Sequence, residues 1–308
     1  MQSIITILGP TAIGKSNLAV RLAQKFHGAI ISADSRQIYK NFDIGSGKIN
    51  PKEMQGIEHY MLDIKDLWQD YNLAEFQKDT QIILENLKSK NTLPFLVGGT
   101  GLYIESIIYN YNLPSIDVNS ELRAELSKLN KLTLQNKLLE LNPKINLNQS
   151  DWNNPIRLIR AIEIAVSKTI SKTPNSTTPY RPLIIGLSST LEEIKSRIVN
   201  RVDARLQAGA ILEVKNMKKI LNQKLSSDLA NHKLAQFGLG TVAIHQYLEG
   251  NIDYEEMRQR YIQSEYQYAR RQLTWFRRMP EVNWFEADDK DLINKTSLLI
   301  ADFVKQQL

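Results

Sequence analysis

Eight consecutive residues, Gly9-Pro10-Thr11-Ala12-Ile13-Gly14-Lys15-Ser16, fit the pattern G-x-x-x-x-G-K-[ST]. The glycines of that pattern let the backbone wrap a phosphate with its N–H groups pointing inward. The loop lies between an apolar run, Ser3 to Leu8, and an amphipathic stretch from about Lys15 to Phe26. That is the strand–loop–helix setting the motif requires. A helix N-terminus there adds positive potential, Lys15 neutralises the outer phosphate, and the Ser16 hydroxyl can ligate Mg2+. A chance glycine-rich turn would rarely meet four constrained positions in this setting. The motif points to a diphosphate or polyphosphate and does not say which.

Enzymes that cleave nucleoside triphosphates at such a loop usually have an aspartate ending a second strand. Here the apolar run Leu93 to Val97 ends in Gly98-Gly99-Thr100-Gly101, without an acid. The carboxylate available at a strand end is Asp34, in Ser32-Ala33-Asp34-Ser35-Arg36-Gln37. In a doubly wound sheet the strand C-termini share one edge, so Asp34, Thr100 and the loop can converge. A carboxylate beside a bound phosphate donor is placed to take a proton from an acceptor nucleophile. The competing reading makes Asp34 a helix cap. The Thr100 hydroxyl sits on a glycine-lined turn that suits a ligand, or the glycines serve only strand–helix packing. His59 and Asp63 flank a strand-like stretch, and four scattered histidines suggest no metal cluster.

A third feature is electrostatic. The chain has 39 basic and 33 acidic residues, a formal net charge of +6. Between Met257 and Arg278 lie six arginines (Arg258, Arg260, Arg270, Arg271, Arg277 and Arg278) against one acid, Glu265. Tyr261, Tyr266, Tyr268, Trp275 and Phe276 interleave with them. Arginine for phosphates and aromatics for stacking is the pairing of an RNA-binding surface. The alternative is a solvated face whose aromatics pack inward.

The elements that must position these groups follow from periodicity. Ser3–Leu8, Ala29–Ser32, Leu93–Val97 and Leu183–Leu187 read as buried strands, alternating with helical stretches such as Leu73–Lys90. Continuous apolar strands alternating with helices predict an α/β fold, a P-loop NTPase-like parallel sheet with helices on both faces. From about residue 114 to 181 the texture turns helical, with runs at Leu122–Leu141 and Ile156–Val166 and a Ser/Thr/Pro-rich loop at Ser167–Pro182. This predicts a helical insertion over 114–181 in a core of 1–113 and 182–308. Leu191–Lys219 and Tyr254 to about Phe276 read as further helices. With 308 residues, 42% of them hydrophobic, the chain can bury a sizeable core. No cysteine is present, which excludes disulfides, a thiolate nucleophile and Cys-based metal sites. No run approaches a membrane span or a signal-peptide core, so the expected address is the cytoplasm.

Taken together, GPTAIGKS, ISADSRQIY, LVGGTGLY, IRLIRAIEI, RIVNRVDARL with GAILEV, and ARRQLTWFRR resemble, in order, the tRNA dimethylallyltransferases. The resemblance runs from Ile5 to about Arg278. It implies that residues Gly9 to Ser16 hold the diphosphate of dimethylallyl diphosphate, with Mg2+ on Ser16. It implies that Asp34 is the base facing N6 of adenosine 37, beside the anticodon of tRNAs that read codons beginning with U. Lys15 and Arg201 would stabilise the departing diphosphate, and Thr100 would contact the reacting nucleotide. By the same resemblance the RNA is held by Asp34, Ser35, Arg36, Gln37, Thr100 and Arg123. Ile156, Arg157, Leu158, Ile159 and Arg160, and the run Arg270, Arg271, Gln272, Leu273, Thr274, Trp275, Phe276 and Arg277, would hold it too. The 114–181 insertion would clamp the anticodon stem. A monomer is expected.

Three departures accompany this resemblance. Gln236-Phe237-Gly238-Leu239-Gly240-Thr241 stands where relatives usually have Gly-Tyr-Arg, removing a tyrosine and an arginine that would touch RNA. Ile156 replaces a polar residue ahead of Arg157, and Gly45-Ser46-Gly47-Lys48-Ile49 replaces Gly-Thr-Ala-Lys-Pro. The expectation is weaker RNA affinity with the chemistry retained. Three other readings compete: an isopentenyltransferase acting on a free adenine nucleotide, a P-loop kinase of a small alcohol, and an RNA-binding protein with a dead nucleotide fold.

Overall fold

The computed structural model describes residues 1–113, 119–167 and 178–306. Its strands are β1 (Gln2–Leu8), β2 (Gly28–Ala33), β3 (His59–Tyr60), β4 (Leu93–Gly98), β5 (Tyr180–Ser188) and β6 (Val282–Glu286). The helices of the first half are α1 (Lys15–Lys25), α2 (Pro51–Met54), α3 (Leu73–Ser89), α4 (Gly101–Ile108), α5 (Ser120–Leu126), α6 (Lys131–Leu141), α7 (Gln149–Trp152) and α8 (Pro155–Val166). Those of the second half are α9 (Leu191–Gln207), α10 (Ala210–Lys224), α11 (Ser227–Gln236), α12 (Leu239–Leu248), α13 (Tyr254–Phe276) and α14 (Leu292–Lys305).

The six strands form one parallel sheet in the order β3-β2-β4-β1-β5-β6. Successive side chains of a strand point to opposite faces, and β1 shows the consequence. Ile5 and Ile7 join a core with Leu18, Val20 and Leu22 of α1 and residues of α9 to α13. Ile4 and Leu8 join another with Phe76 and Leu84 of α3 and Ile104 and Ile107 of α4. Apolar side chains on both faces explain why these strands read as unbroken apolar runs. The predicted α/β class is thus observed.

The chain divides into two compact units, Met1–Asn110 with Thr177–Leu308, and Tyr111–Ser176. The second unit has its own small core, with Leu126, Leu134, Leu138, Leu158 and Ile162 buried. Residues 114–118 and most of the predicted Ser167–Pro182 loop lie outside the described residues.

Several element boundaries differ from expectation. The run Leu122–Leu141 is two helices, because the Asn130 side chain caps α6 by accepting from Thr133 N. Leu191–Lys219 is likewise interrupted, at Gly209, whose φ of 104° lies outside helical space and opens α10. Strand β6 has no counterpart in the sequence pattern, because it is a short edge strand, only partly buried, and carries little apolar signal. No helix follows Asp34 directly; residues 35–38 form a turn, and the next helix begins at Pro51.

Candidate active site

The loop after β1 turns sharply into α1. Gly14 adopts φ 102° and Ala12 φ 63°, so the chain reverses and leaves the N-terminus of α1 facing the cavity. Lys15 bends back to donate to Pro10 O at 2.7 Å. Burial, with the Arg201 charge beside it, brings the Lys15 ammonium down to about 7, and Asp34 pulls in the opposite direction. Thr11 is fixed from two sides. Its N–H donates to Gln272 Oε1 at 2.8 Å, and its hydroxyl accepts from Arg201 Nη1 at 2.7 Å.

The strand C-termini bring the predicted chemistry to one edge. β2 delivers Asp34, whose Oδ1 accepts from Arg36 N at 2.9 Å. It therefore orders its own turn and caps no helix. β4 delivers Thr100, whose Oγ1 accepts from Ser35 N at 3.2 Å and hydrogen-bonds the Tyr268 phenol. Burial, then the Asp34 charge, pushes that phenol up to about 12. Gln272 Nε2 donates to Gly99 O at 2.9 Å. A Cβ on Gly99 would collide with that amide, so the glycine is what lets α13 approach β4. A cavity of about 430 Å3 has Lys15, Ser16, Asp34, Gln37, Gly99, Arg201, Tyr268 and Gln272 on its wall, and Thr100 lies outside that lining.

A loop over residues 43–49 closes one side. The Glu213 carboxylate of α10 accepts from three successive backbone donors, Asp43, Ile44 and Gly45, at 2.7, 2.7 and 2.8 Å. Gln37 Nε2 reaches Gly47 O at 3.2 Å. Lys48 donates to Tyr39 O at 2.8 Å and to Asp63 at 2.6 Å, so Lys48 and Asp63 fasten this loop. His59 bonds the carbonyl of Ile57. No cluster of three metal-ligating side chains occurs among the described residues.

Beneath the loop lie two arginines of α9. Burial and the neighbouring Arg205 lower the Arg201 guanidinium to about 10, still charged at neutrality. Arg205 meets Glu265 at 3.2 Å and the Tyr261 hydroxyl at 3.3 Å. A second cavity of about 290 Å3 shares Tyr268 as a wall. Tyr39, Tyr71, Tyr103 and Phe237 surround it, with Ser35, Arg36 and Lys233.

The remaining predicted RNA contacts divide by exposure. Arg270, Arg271, Thr274 and Arg277 face solvent, whereas Gln272, Leu273 and Phe276 are buried. The Trp275 indole donates to Glu105 Oε1 at 2.7 Å. A helical period of 3.6 cannot turn a contiguous run to one side, so the outward set is narrower than Arg270 to Arg277. Within the second unit, Arg123 and Arg160 both bind Glu163, 3% exposed, at 2.8 and 3.2 Å. Burial raises that carboxyl and the two guanidiniums outweigh it, leaving it below its ordinary range. Leu158 is core, Ile159 is half-buried, Arg157 pairs with Asp151, and Ile156 is exposed. Arg205 and Glu213 escaped the sequence reading as site residues, whereas Tyr268, expected on an RNA-stacking surface, stands on the wall of both cavities.

Comparison with known proteins follows the same outline. A model of the IPP transferase family matches residues 37–279. A tRNA dimethylallyltransferase of Clostridioides difficile is 36% identical over 98% of this chain and 98% of its own length. One from Nostoc punctiforme is also 36% identical, with 98% of each chain covered. The crystal structure of a tRNA isopentenylpyrophosphate transferase from Bacillus halodurans superimposes with a TM-score of 0.74 at 33% identity, covering 99% of this chain and 98% of that one.

Proposed function

The chain belongs to the IPP transferase family, and from that premise we propose that it transfers a dimethylallyl group from dimethylallyl diphosphate to N6 of adenosine 37 in tRNA. The observation that carries this reading is the pair of cavities on either side of Tyr268. One is built of backbone donors and cations, and the other is walled by aromatic rings. The first suits a diphosphate. The second suits a base taken out of an RNA stack and held against rings.

The exocyclic amine of adenine is a weak nucleophile because its lone pair is conjugated into the ring. As the N6–C1 bond to the dimethylallyl carbon forms and the C1–O bond to diphosphate breaks, N6 sheds a proton, and Asp34 accepts it. The leaving diphosphate takes the bonding electron pair. Lys15, Arg201 and the N–H groups of the loop stabilise it. Charge that is already oriented and partly desolvated costs little reorganisation as the bond breaks. The donor set fits Mg2+, which takes few protein oxygens and completes its shell with phosphate oxygens and water. Ser16 would hold it, and it would supply further neutralisation of the leaving group. Among the described residues no helix is long and apolar enough to cross a membrane, and tRNA as substrate fits a cytoplasmic enzyme.

The test is transfer of label from dimethylallyl diphosphate, with Mg2+, to three acceptors. They are an anticodon stem-loop carrying A36-A37-A38, the same loop with A37 replaced, and free AMP. Label on the first alone supports the proposal. Label on AMP alone moves the chain to the free-nucleotide class, and hydrolysis of ATP without label points to the kinase.

A further inference from the structure

Glu265 is the single acid between Met257 and Arg278, and the transfer proposed above gives it no step. Its side chain is buried, and the residue is 6% exposed. Two guanidiniums from distant parts of the chain converge on it. Oε2 lies 3.2 Å from Arg205 Nη1 and Oε1 lies 3.6 Å from Arg36 Nη1. Each of these arginines leads to a different cavity. Arg205 and Arg201 lie so close under Gly47 that a Cβ there would strike both guanidiniums, and Gly47 lines the diphosphate-side cavity. Arg36 stacks on the Tyr268 ring, 5.1 Å from its centre, and lines the aromatic cavity.

The altered stretch at residues 236–241 belongs to the same arrangement. Gly240 lies against the Tyr261 ring, which a Cβ would overlap, and Gly238 lies against the Arg36 guanidinium. The Tyr261 hydroxyl lies on Arg205. The two glycines of this stretch leave the room that Arg36 and Tyr261 occupy.

Resting on the functional reading above, we infer that Glu265 is a positioning residue. It holds Arg205 on the donor side and Arg36 on the acceptor side in one frame. Three guanidiniums in a partly desolvated region repel one another, and a shared carboxylate fixes their spacing as well as offsetting their charge. Removing it frees Arg36 and leaves Arg205 buried without an acid. The diphosphate side, meanwhile, becomes more positive. The two effects therefore separate: donor binding is kept or strengthened while transfer falls, because small misplacements of reacting groups are costly.

The test compares the full-length chain with Glu265→Gln, Glu265→Asp, Arg36→Ala and the Glu265→Gln/Arg36→Ala pair. It reads inorganic diphosphate binding by calorimetry and single-turnover transfer at saturating substrates. Glu265→Gln is expected to bind diphosphate at least as tightly as wild type and to transfer ~10- to 100-fold more slowly. Arg36→Ala should then add no more than about 2-fold, since the two act through one contact. Transfer unchanged in Glu265→Gln overturns the inference. So do joint loss of diphosphate binding and transfer, and full multiplication of the two single effects. If Glu265→Gln does not fold, Glu265→Asp decides: slower transfer with unchanged diphosphate binding is expected, and unchanged transfer overturns the inference. A wild-type chain that transfers nothing to any acceptor overturns the functional reading and this inference with it. Wild-type transfer that ignores Glu265 overturns this inference alone.

Discussion

Along α13, Arg258 and Arg260 stand near the N-terminus and Arg270 and Arg271 near the C-terminus, with Arg277 and Arg278 just beyond. Arg258 makes a two-point contact with Asp203 of α9, at 2.6 and 2.8 Å. Arg260 pairs with Glu256 one turn away at 2.6 Å. The macrodipole disfavours cations in that first stretch, and Glu255 and Glu256 offset it. At the other end, Arg270, Arg271, Arg277 and Arg278 are exposed, and among the described residues none has a carboxylate within ion-pair distance. Instead Arg271 and Arg278 lie over the rings of Tyr268 and Trp275, at 5.9 and 4.8 Å. A charge count therefore overstates the field of the helix as a whole and understates its asymmetry. The first arginines fasten the helix to its neighbours, and the last leave positive charge exposed at the surface.

Four experiments bear on that contrast. The largest effect separates chemistry from grip: Asp34→Asn should slow transfer by ~10²- to 10⁴-fold and leave RNA affinity near wild type. Equilibrium binding alongside single-turnover rates checks this. Next, Arg270→Ala with Arg271→Ala should weaken RNA binding about 10-fold and shallow the log–log salt slope by about 2. A titration series from low to high salt would expose an unchanged slope, which would erase the distinction between the two ends.

A third experiment concerns Lys15, a cation that titrates near neutrality, unlike the arginines. Its pKa in the folded chain is lowered to about 7. Near pH 8 it is mostly neutral until an anion arrives, so diphosphate binding should take up as much as one proton there, and little near pH 6. Calorimetry in buffers of different ionisation heat measures this. The sign for stability follows from the same shift. The unfolded chain holds the proton more tightly, so this group's contribution to stability rises with pH from about 7 toward its ordinary value of 10.5.

The smallest effect belongs to the fastened end. Arg258→Ala should cost about 1 kcal/mol or less, because the pair is partly exposed and screened, with no change in the salt slope for RNA. Thermal unfolding and the same titration check it.

Much of the donor side is legible in the sequence because it is local. Gly9 to Ser16 and the strand before them are contiguous, and Asp34 follows a strand that must end at the same sheet edge. The partnerships that turn these residues into a site are not local. Gln272 reaches Thr11 across 261 residues and Arg258 reaches Asp203 across 55. Periodicity would have separated Leu273 and Phe276 from Arg270, Arg271 and Arg277, because a helix face repeats near 3.6 residues. The pairing of Glu163 with both Arg123 and Arg160 is different. It depends on how α5 and α8 pack within the second unit, which spacing does not reveal.

On the proposed reading Asp34 serves the bond-making step and the exposed arginines serve RNA capture. Single-turnover transfer by Asp34→Asn and by the Arg270→Ala/Arg271→Ala variant, each across rising concentrations of anticodon stem-loop, tests it most directly. The arginine variant is expected to regain the wild-type rate at high RNA, while Asp34→Asn stays slow at every concentration. A wild-type plateau for Asp34→Asn, or an arginine variant that never recovers, would contradict it.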